Sequence, residues 1–411
     1  MIRDPLALTA LIALTTWAAF ALERRVPAAG TLGASLLALI LGALLSNTGV
    51  VPATSPVYDL IAGPGTMLAI AWLLLAVNVG DLKTAGPRML GAFGLALAGT
   101  ALGAFVGALV FADFLGENTW RLAGTLTGTY SGGSLNFVAV GTGVGLPAQL
   151  FAGATAADAL TTGLWLGACL LLPIWLARFY PAVPDAATRP LGPRGDATEG
   201  GGGEPRESTR DERLARHPFF RTAALSTLDL AILAAVGLVL LAAAEATATG
   251  LAGWAEAGAI PGWVGSIPAV LWLTTFALIA GHTPGLARRA GALQLGNLAL
   301  HFFFVVIGIW SRVSEIVAVG VEVFLYTLLV VGVHGVVVYG VGRLVRMDPG
   351  SLAVASQAAV GGPSSALAVA VSRRWPGFVL PGIIVGLVGY AVGNYLGFGV
   401  AYLVRGLEIG L

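Results

Sequence analysis

Apolar runs of about 20 residues, the length that carries a helix across a bilayer, recur along the whole 411-residue chain. They fall near 5–22, 31–50, 57–79, 88–113, 121–145 and 150–178. After a polar stretch at 182–220 they return near 226–247, 264–281, 291–309, 315–345, 350–372 and 377–404. This predicts an all-α polytopic membrane protein with about 10–12 transmembrane helices. The nearly constant offset between the two sets points to an internal duplication, with one repeat in 1–181 and the other in 221–411. Between them, residues 182–220 hold six arginines and seven acids and almost no large apolar side chain before Phe219. Such a segment cannot bury a core and reads as a polar, flexible linker.

Two of the apolar runs are interrupted in the same way. Thr127-Gly128-Thr129-Tyr130-Ser131-Gly132-Gly133-Ser134-Leu135-Asn136 carries a glycine pair flanked by hydroxyls and an amide. Ser356-Gln357-Ala358-Ala359-Val360-Gly361-Gly362-Pro363-Ser364-Ser365 carries another, 229 positions on when counted from Gly132 to Gly361. Glycine pairs weaken a helix and permit positive φ. A broken spanning helix frees backbone groups that lipid cannot satisfy, so such a break is tolerated only against protein or a wet cavity. Paired breaks at matching places in two halves are the strongest sequence pointer to a transporter site, stronger than the alternative of small residues serving helix packing. The candidate ligands are Thr129, Tyr130, Ser131, Gly132, Gly133, Ser134, Asn136, Gln357, Gly361, Gly362, Ser364 and Ser365.

Chain direction complicates the duplication. Six plus six continuous spans would make the halves parallel, and would place Arg24-Arg25 and Lys83/Arg88 outside, against the positive-inside rule. Inverted repeats need an odd number of spans between equivalent helices. Either one segment fails to span, or a long one (315–345, or 150–178 with Pro173) hides a hairpin.

Composition adds the environment. The chain is 57% hydrophobic and only 10% charged, against about 25% charged in soluble domains. This is the composition of an integral, multi-pass membrane protein, expected in a prokaryotic cell (inner) membrane. The net charge of +1 and the absence of a basic stripe give no reason to expect nucleic acid. The single Cys169 excludes an internal disulfide. Residues 6–22 span without a convincing cleavage site and read as the first helix. No P-loop, zinc-ligand spacing or nucleophile elbow is present, so no enzyme is expected, no transition metal, and no cofactor beyond a coupling Na⁺ or H⁺.

Ionisable groups inside a span are expensive and line a pathway or find a partner. Asp158, on the helix after the first break, is the acid so placed, and Na⁺ near Asp158 or a proton on it would be the coupling ion. Its counterpart at the same offset is Leu387, so only one half carries the charge. Secondary candidates are Asn78, Asn297 and His301 (with Gln294 on one helical face) and Asn394. His334 stands mid-helix with no evident partner.

At these motifs the chain resembles the family known as domain of unknown function 819. The resemblance is carried by Gly128 to Ala139, by Ala157-Asp158, by Ser356-Gln357-Ala358 with Gly361-Gly362-Pro363, and by Val379-Leu380-Pro381-Gly382-Ile383. It is distantly similar to the cation–proton antiporter and anion transporter superfamily. That resemblance implies inverted repeats, discontinuous helices crossing near the midplane, a mobile core against a rigid panel or dimerisation domain, and an ion-carrying acid at Asp158. The expected function is an ion-coupled secondary transporter of a small organic solute by alternating access. A cation/proton antiporter is the alternative, and a non-transporting receptor or intramembrane enzyme the reading from another class. Expected partners are the bilayer, the small-molecule substrate and a second copy in a homodimer.

Overall fold

The computed structural model describes residues 2–26, 33–188, 225–283, 285–286, 289, 291–310, 313–407 and 409. Most of the predicted linker, 189–220, lies outside them. Every regular element among the described residues is helical. Helix starts follow local chemistry. Asp4 accepts from the Ala7 N–H ahead of Pro5–Arg25 (α1), with Pro5 in the first turn. Ser226 and Asp229 form a reciprocal capping box on Thr227–Glu256 (α8). Asp348 accepts from the Ser351 N–H ahead of Pro349–Ser372 (α12).

The remaining helices are Gly33–Asn47 (α2), a run through Pro56–Leu60, Ile61–Gly65 and Thr66–Leu75 (α3), Leu82–Leu115 (α4), Thr119–Gly132 (α5), Ser134–Gly143 (α6) and Ala148–Trp175 (α7). After α8 come Ala269–Gly281 (α9), Ala292–Trp310 (α10), Val313–Leu344 (α11), α12 and Pro376–Gly406 (α13). Eight helical runs among the described residues are long and apolar enough to cross a membrane, one being the merged run Pro56–Gly132. The shorter α2 and α9 are also apolar. The outer surfaces of the long helices suit lipid: Trp17 of α1, Val239 of α8 and Val336 of α11 stand 64%, 67% and 74% exposed.

The two glycine-broken segments do not cross the bundle; each doubles back. Gly128 packs against Val140, and Gly141 against Thr125. In a continuous helix residues 12 apart would lie about 18 Å apart. The reversal sits at Gly133, whose φ of 99° and ψ of −165° are open essentially to glycine alone. In α12, Val354 and Ala366 both reach Gly382, and the first-turn Gly350 meets Phe378 just beyond the second arm. That reversal sits at Gly362, φ 76° and ψ −170°, and Pro363 opens the second arm with its ring fixed in helical φ. The discontinuous crossing helices implied by the family resemblance are therefore corrected to two re-entrant hairpins. Neither long candidate hides the turn: α7 runs unbroken through Pro173 and α11 through its whole length.

The hairpins enter from opposite faces. The Ile2 N–H donates to the Val50 carbonyl, which places the start of α1 beside the end of α2. The Ala34 N–H donates to Glu23 at the other face. Trp72, near the end of α3, donates to the Leu233 carbonyl near the start of α8. The crossing helices α1, α2, α3, α4 and α7 are odd in number because hairpin one returns to its own side. The second half thus starts at the face opposite the first and runs through corresponding elements in the opposite sense. Arg24, Arg25, Lys83, Arg88, Arg178, Arg289, Arg343, Arg346, Arg373 and Arg374 then share one face, while Arg3, Arg121 and Arg405 occupy the other. Arg178 and Arg343 share the Phe179 ring, and Arg121 and Arg405 share Trp120. The positive-inside rule turns the Arg-rich face to the cytoplasm, and the charge conflict in the continuous-span topology disappears.

Packing separates the helices into two groups. α1, α2, α3, α8, α9 and α10 pack on one another, as do α4, α7, α11, α13 and the hairpins. Glycine faces allow close approach within the second group. Gly99, Gly103 and Gly107 of α4 lie on His334, Val330 and Tyr326 of α11. Gly382, Gly386, Gly389, Gly393 and Gly397 of α13 run past both hairpins in turn.

Candidate functional site

The hairpin tips meet near the middle of the second group. Gly133 faces the Gly361–Gly362 backbone, and Gly362 faces the Gly132 carbonyl. α13 lies across both, with Gly386 on Pro363 and Gly389 on Gly132. A side chain could not fit at Gly132, Gly386 or Gly389, where backbone stands under 3 Å from a Cβ, whereas Gly133 and Gly362 serve the turn through their positive φ.

A cavity of about 280 Å³ opens beside the tips. Gly133, Ser134 and Phe137 of hairpin one and Gln357, Gly361 and Ser365 of hairpin two form one side. Thr155, Asp158 and Thr162 come from α7, and Ser35 and Phe304 from α2 and α10 of the other helix group. The site thus lies where the two groups meet. Among the described residues no basic side chain lines it. Asp158 accepts from the Thr162 hydroxyl at 3.2 Å.

The predicted ligands divide by position. Ser134, Gly133, Asp158, Gln357, Gly361 and Ser365 line the cavity. Thr129, Tyr130, Ser131, Gly132, Asn136 and Gly362 form the tips behind it. Thr129 Oγ1, Tyr130 Oη, Ser131 Oγ, Asn136 Oδ1 and both amide atoms of Gln357 are buried without hydrogen-bond partners. Such a concentration of unmatched polar atoms is costly and marks the tips as the polar centre of an apolar bundle. Tyr130 Oη lies beside Asp158, Thr161 and Thr327. Ser364 is exposed and lies off the cavity.

The secondary candidates scatter. Asn78 caps a short turn by accepting from the Gly80 N–H, far from the tips. Asn297 is exposed, and its carbonyl accepts from His301 Nδ1. His301 Nε2 then accepts from Ser35 at 3.3 Å, one residue behind the cavity wall. Asn394 is buried: its Oδ1 accepts from Asn136, which also donates to the Tyr390 carbonyl, and its Nδ2 donates to Thr274 on α9.

Sequence reasoning missed the partners of His334. Trp165 donates to Ser356 Oγ at 2.9 Å, and Ser356 lies 2.8 Å from His334 Nε2. His334 Nδ1 lies 2.9 Å from Thr100 Oγ1, which donates to the Tyr130 carbonyl. Thr100 has one proton and gives it to the Tyr130 carbonyl, so Nδ1–H gives its own to Thr100. With a neutral imidazole, Ser356 then gives its proton to Nε2. The chain ties α7, hairpin two, α11, α4 and hairpin one together.

The family profile for proteins of unknown function called DUF819 matches residues 7–407. The chain belongs to the DUF819 family. It is 26% identical over 388 residues to the uncharacterized membrane protein YjcL of Bacillus subtilis (strain 168), covering 93% of each chain. A DUF819 protein is therefore an integral, multi-pass membrane protein here, and its chemistry has to be argued from the cavity.

Proposed function

We propose that this DUF819 chain is an ion-coupled secondary transporter of a small organic solute, working by alternating access in a prokaryotic cell membrane. The observation that carries the reading is the pair of oppositely entering hairpins whose tips meet at a cavity walled on its far side by a separate helix group. Re-entrant backbone at depth is expensive and is retained where it lines a substrate path. The opposed chain sense of the two halves supports an inverted duplication, in which two near-equivalent arrangements open to opposite sides. The hairpin group with α4, α7, α11 and α13 is the moving body; α1–α3 and α8–α10 form the panel, a suitable surface for a homodimer.

Asp158 favours a second reading. It is the one acid on the cavity wall among the described residues, and an antiporter needs no more than that to exchange Na⁺ for H⁺. Uptake assays on proteoliposomes separate the two. Solute accumulation driven by a Na⁺ or proton gradient, lost in Asp158→Asn, supports solute transport. Cation/proton exchange with no organic solute, lost in the same variant, supports the antiporter. Neither activity under either gradient would overturn both.

A further inference from the structure

We infer that the cavity takes a small zwitterion, an α-amino acid or close relative, with its carboxylate at the tip of hairpin one and its ammonium at Asp158. The inference rests on the transporter reading only for the use made of the site, since binding itself does not require transport.

The two walls ask for opposite charges. Asp158 sits among Ala159, Gly163 and Leu166, with no basic residue on the lining among the described residues and only hydroxyls beside it, Thr162 at 3.2 Å and Tyr130 Oη. A carboxylate in such surroundings calls for a cation. Across the cavity α6 begins at Ser134. Its cap position is Gly133, which offers no side chain to the first-turn N–H groups. An uncapped helix start is the positive end of the helix dipole and binds carboxylates. Ser134 adds its hydroxyl beside it. On the same side as Ser134 stands Gln357, fully buried and on the lining, with both Oε1 and Nε2 unpartnered. Its amide can donate to a carboxylate and accept from an ammonium.

Other ligand classes match only part of this. A dicarboxylate carries no cationic group for Asp158 and is repelled by it. A bare amine or alkali cation satisfies Asp158 but leaves the α6 start and Gln357 unmatched. A zwitterion satisfies all three and carries no net charge into the bundle. The volume of about 280 Å³ is at the lower edge of the roughly 300–1,000 Å³ of small-molecule sites, which limits the side chain to a few atoms.

The test uses the purified full-length protein in detergent, with thermal shift and calorimetric titration in Na⁺-free and Na⁺-containing buffer. The probes are glycine, L-alanine and L-serine, with propionate (no ammonium), ethylamine (no carboxylate) and succinate. Saturable binding of at least one amino acid, with the three fragments at least tenfold weaker, is expected. Asp158→Asn and Gln357→Leu should each weaken amino-acid binding at least tenfold. Succinate or propionate binding in preference to amino acids would overturn the inference, as would no response to any amino acid. Undiminished amino-acid affinity in a folded Asp158→Asn would also overturn it. If Asp158→Asn fails to fold, the wild-type probe panel decides alone. Amino-acid binding without gradient-driven uptake would leave the site standing and remove the transporter. Gradient-driven succinate uptake without amino-acid binding would do the reverse.

Discussion

Hairpin one turns at Gly133 and gathers Thr129, Tyr130, Ser131 and Asn136 at its tip, whereas hairpin two turns at Gly362 and offers Gln357 and Ser365. The long helix after hairpin one carries Asp158, and the corresponding place after hairpin two is Leu387. The ties to these helices differ in the same register. Asn394 of α13 holds Asn136 of hairpin one, and Trp165 of α7, 229 positions earlier, holds Ser356 of hairpin two. The backbone path is alike in the two halves, where glycine geometry leaves little choice. The side chains differ, leaving one charge in a site framed by two like elements. A single charge is enough for one coupling or recognition event, and a symmetric pair of acids would repel.

The sharpest break in this comparison is topological. If both hairpins return to their own faces, Val50 and Trp263 lie on one side and Val345 on the other. In a Cys169→Ser background, an impermeant maleimide added to intact cells should label Val50→Cys and Trp263→Cys but not Val345→Cys. Labelling of Val50→Cys and Val345→Cys together, without Trp263→Cys, would mean that hairpin one crosses. Next in size are the glycines. A Cβ at Gly132 would meet the Gly389 backbone and, at 2.5 Å, Asn136 Oδ1. Gly132→Val should abolish monodisperse protein on size-exclusion chromatography. At Gly133 nothing stands within 3.6 Å of a Cβ, while at Gly362 the Gly132 carbonyl stands 3.3 Å away, so Gly133→Ala should lose only the backbone strain of about 1–3 kcal/mol and Gly362→Ala somewhat more, each read as a fall in melting temperature. Equal loss from Gly132→Val and Gly133→Ala would show that the tip of hairpin one is not packed against α13.

The His334 chain sets the two hairpins apart from within, because it anchors hairpin two by Ser356 and hairpin one only through the Tyr130 carbonyl. His334→Ala leaves Ser356 without its acceptor and Thr100 without its donor in a dry interior. At about 1–3 kcal/mol for each stranded group, the loss should be about 3 kcal/mol by denaturation. His334→Gln, which retains a donor and an acceptor, should recover part of it. Recovery by Leu as well would mean that the chain contributes packing alone.

The places where the backbone breaks were legible in the sequence, and so was the one acid on the cavity wall. Gly132-Gly133 and Gly361-Gly362 stand out because apolar spans rarely tolerate such pairs, and the offset of 229 links them. What the chain does after the break was not legible. A glycine at positive φ serves a kink or a full reversal equally well, and only distant packing decides. The glycine face of α13, from Gly382 to Gly397 at steps of three and four, was the available signal that two backbones run close beside that helix. His334 looked partnerless because its partners come from α4 and α12, 234 and 22 positions away. Asn297 was misplaced because a polar face at helical spacing shows which residues share a side, not whether that side meets solvent.

The smallest effect concerns where the two helix groups touch. Asn394 joins the tip of hairpin one to Thr274 on α9, which belongs to the other group. Thr274→Val removes one neutral hydrogen bond between the groups, worth about 1 kcal/mol. Asn394→Ala removes that bond and also strands Asn136, and should cost about twice as much. If Asn394 acts as one continuous link, Thr274→Val and Asn136→Ala should not be additive, with a coupling of at least about 0.5 kcal/mol in a double-mutant cycle of unfolding free energies. Additive losses would mean that the tip and the interface are independent. In that case the hairpin group could slide past α9 without disturbing hairpin one. A measured coupling would instead make displacement of the group and loosening of that tip the same event, a restraint that hairpin two, tied only within its own group through Trp165, does not share.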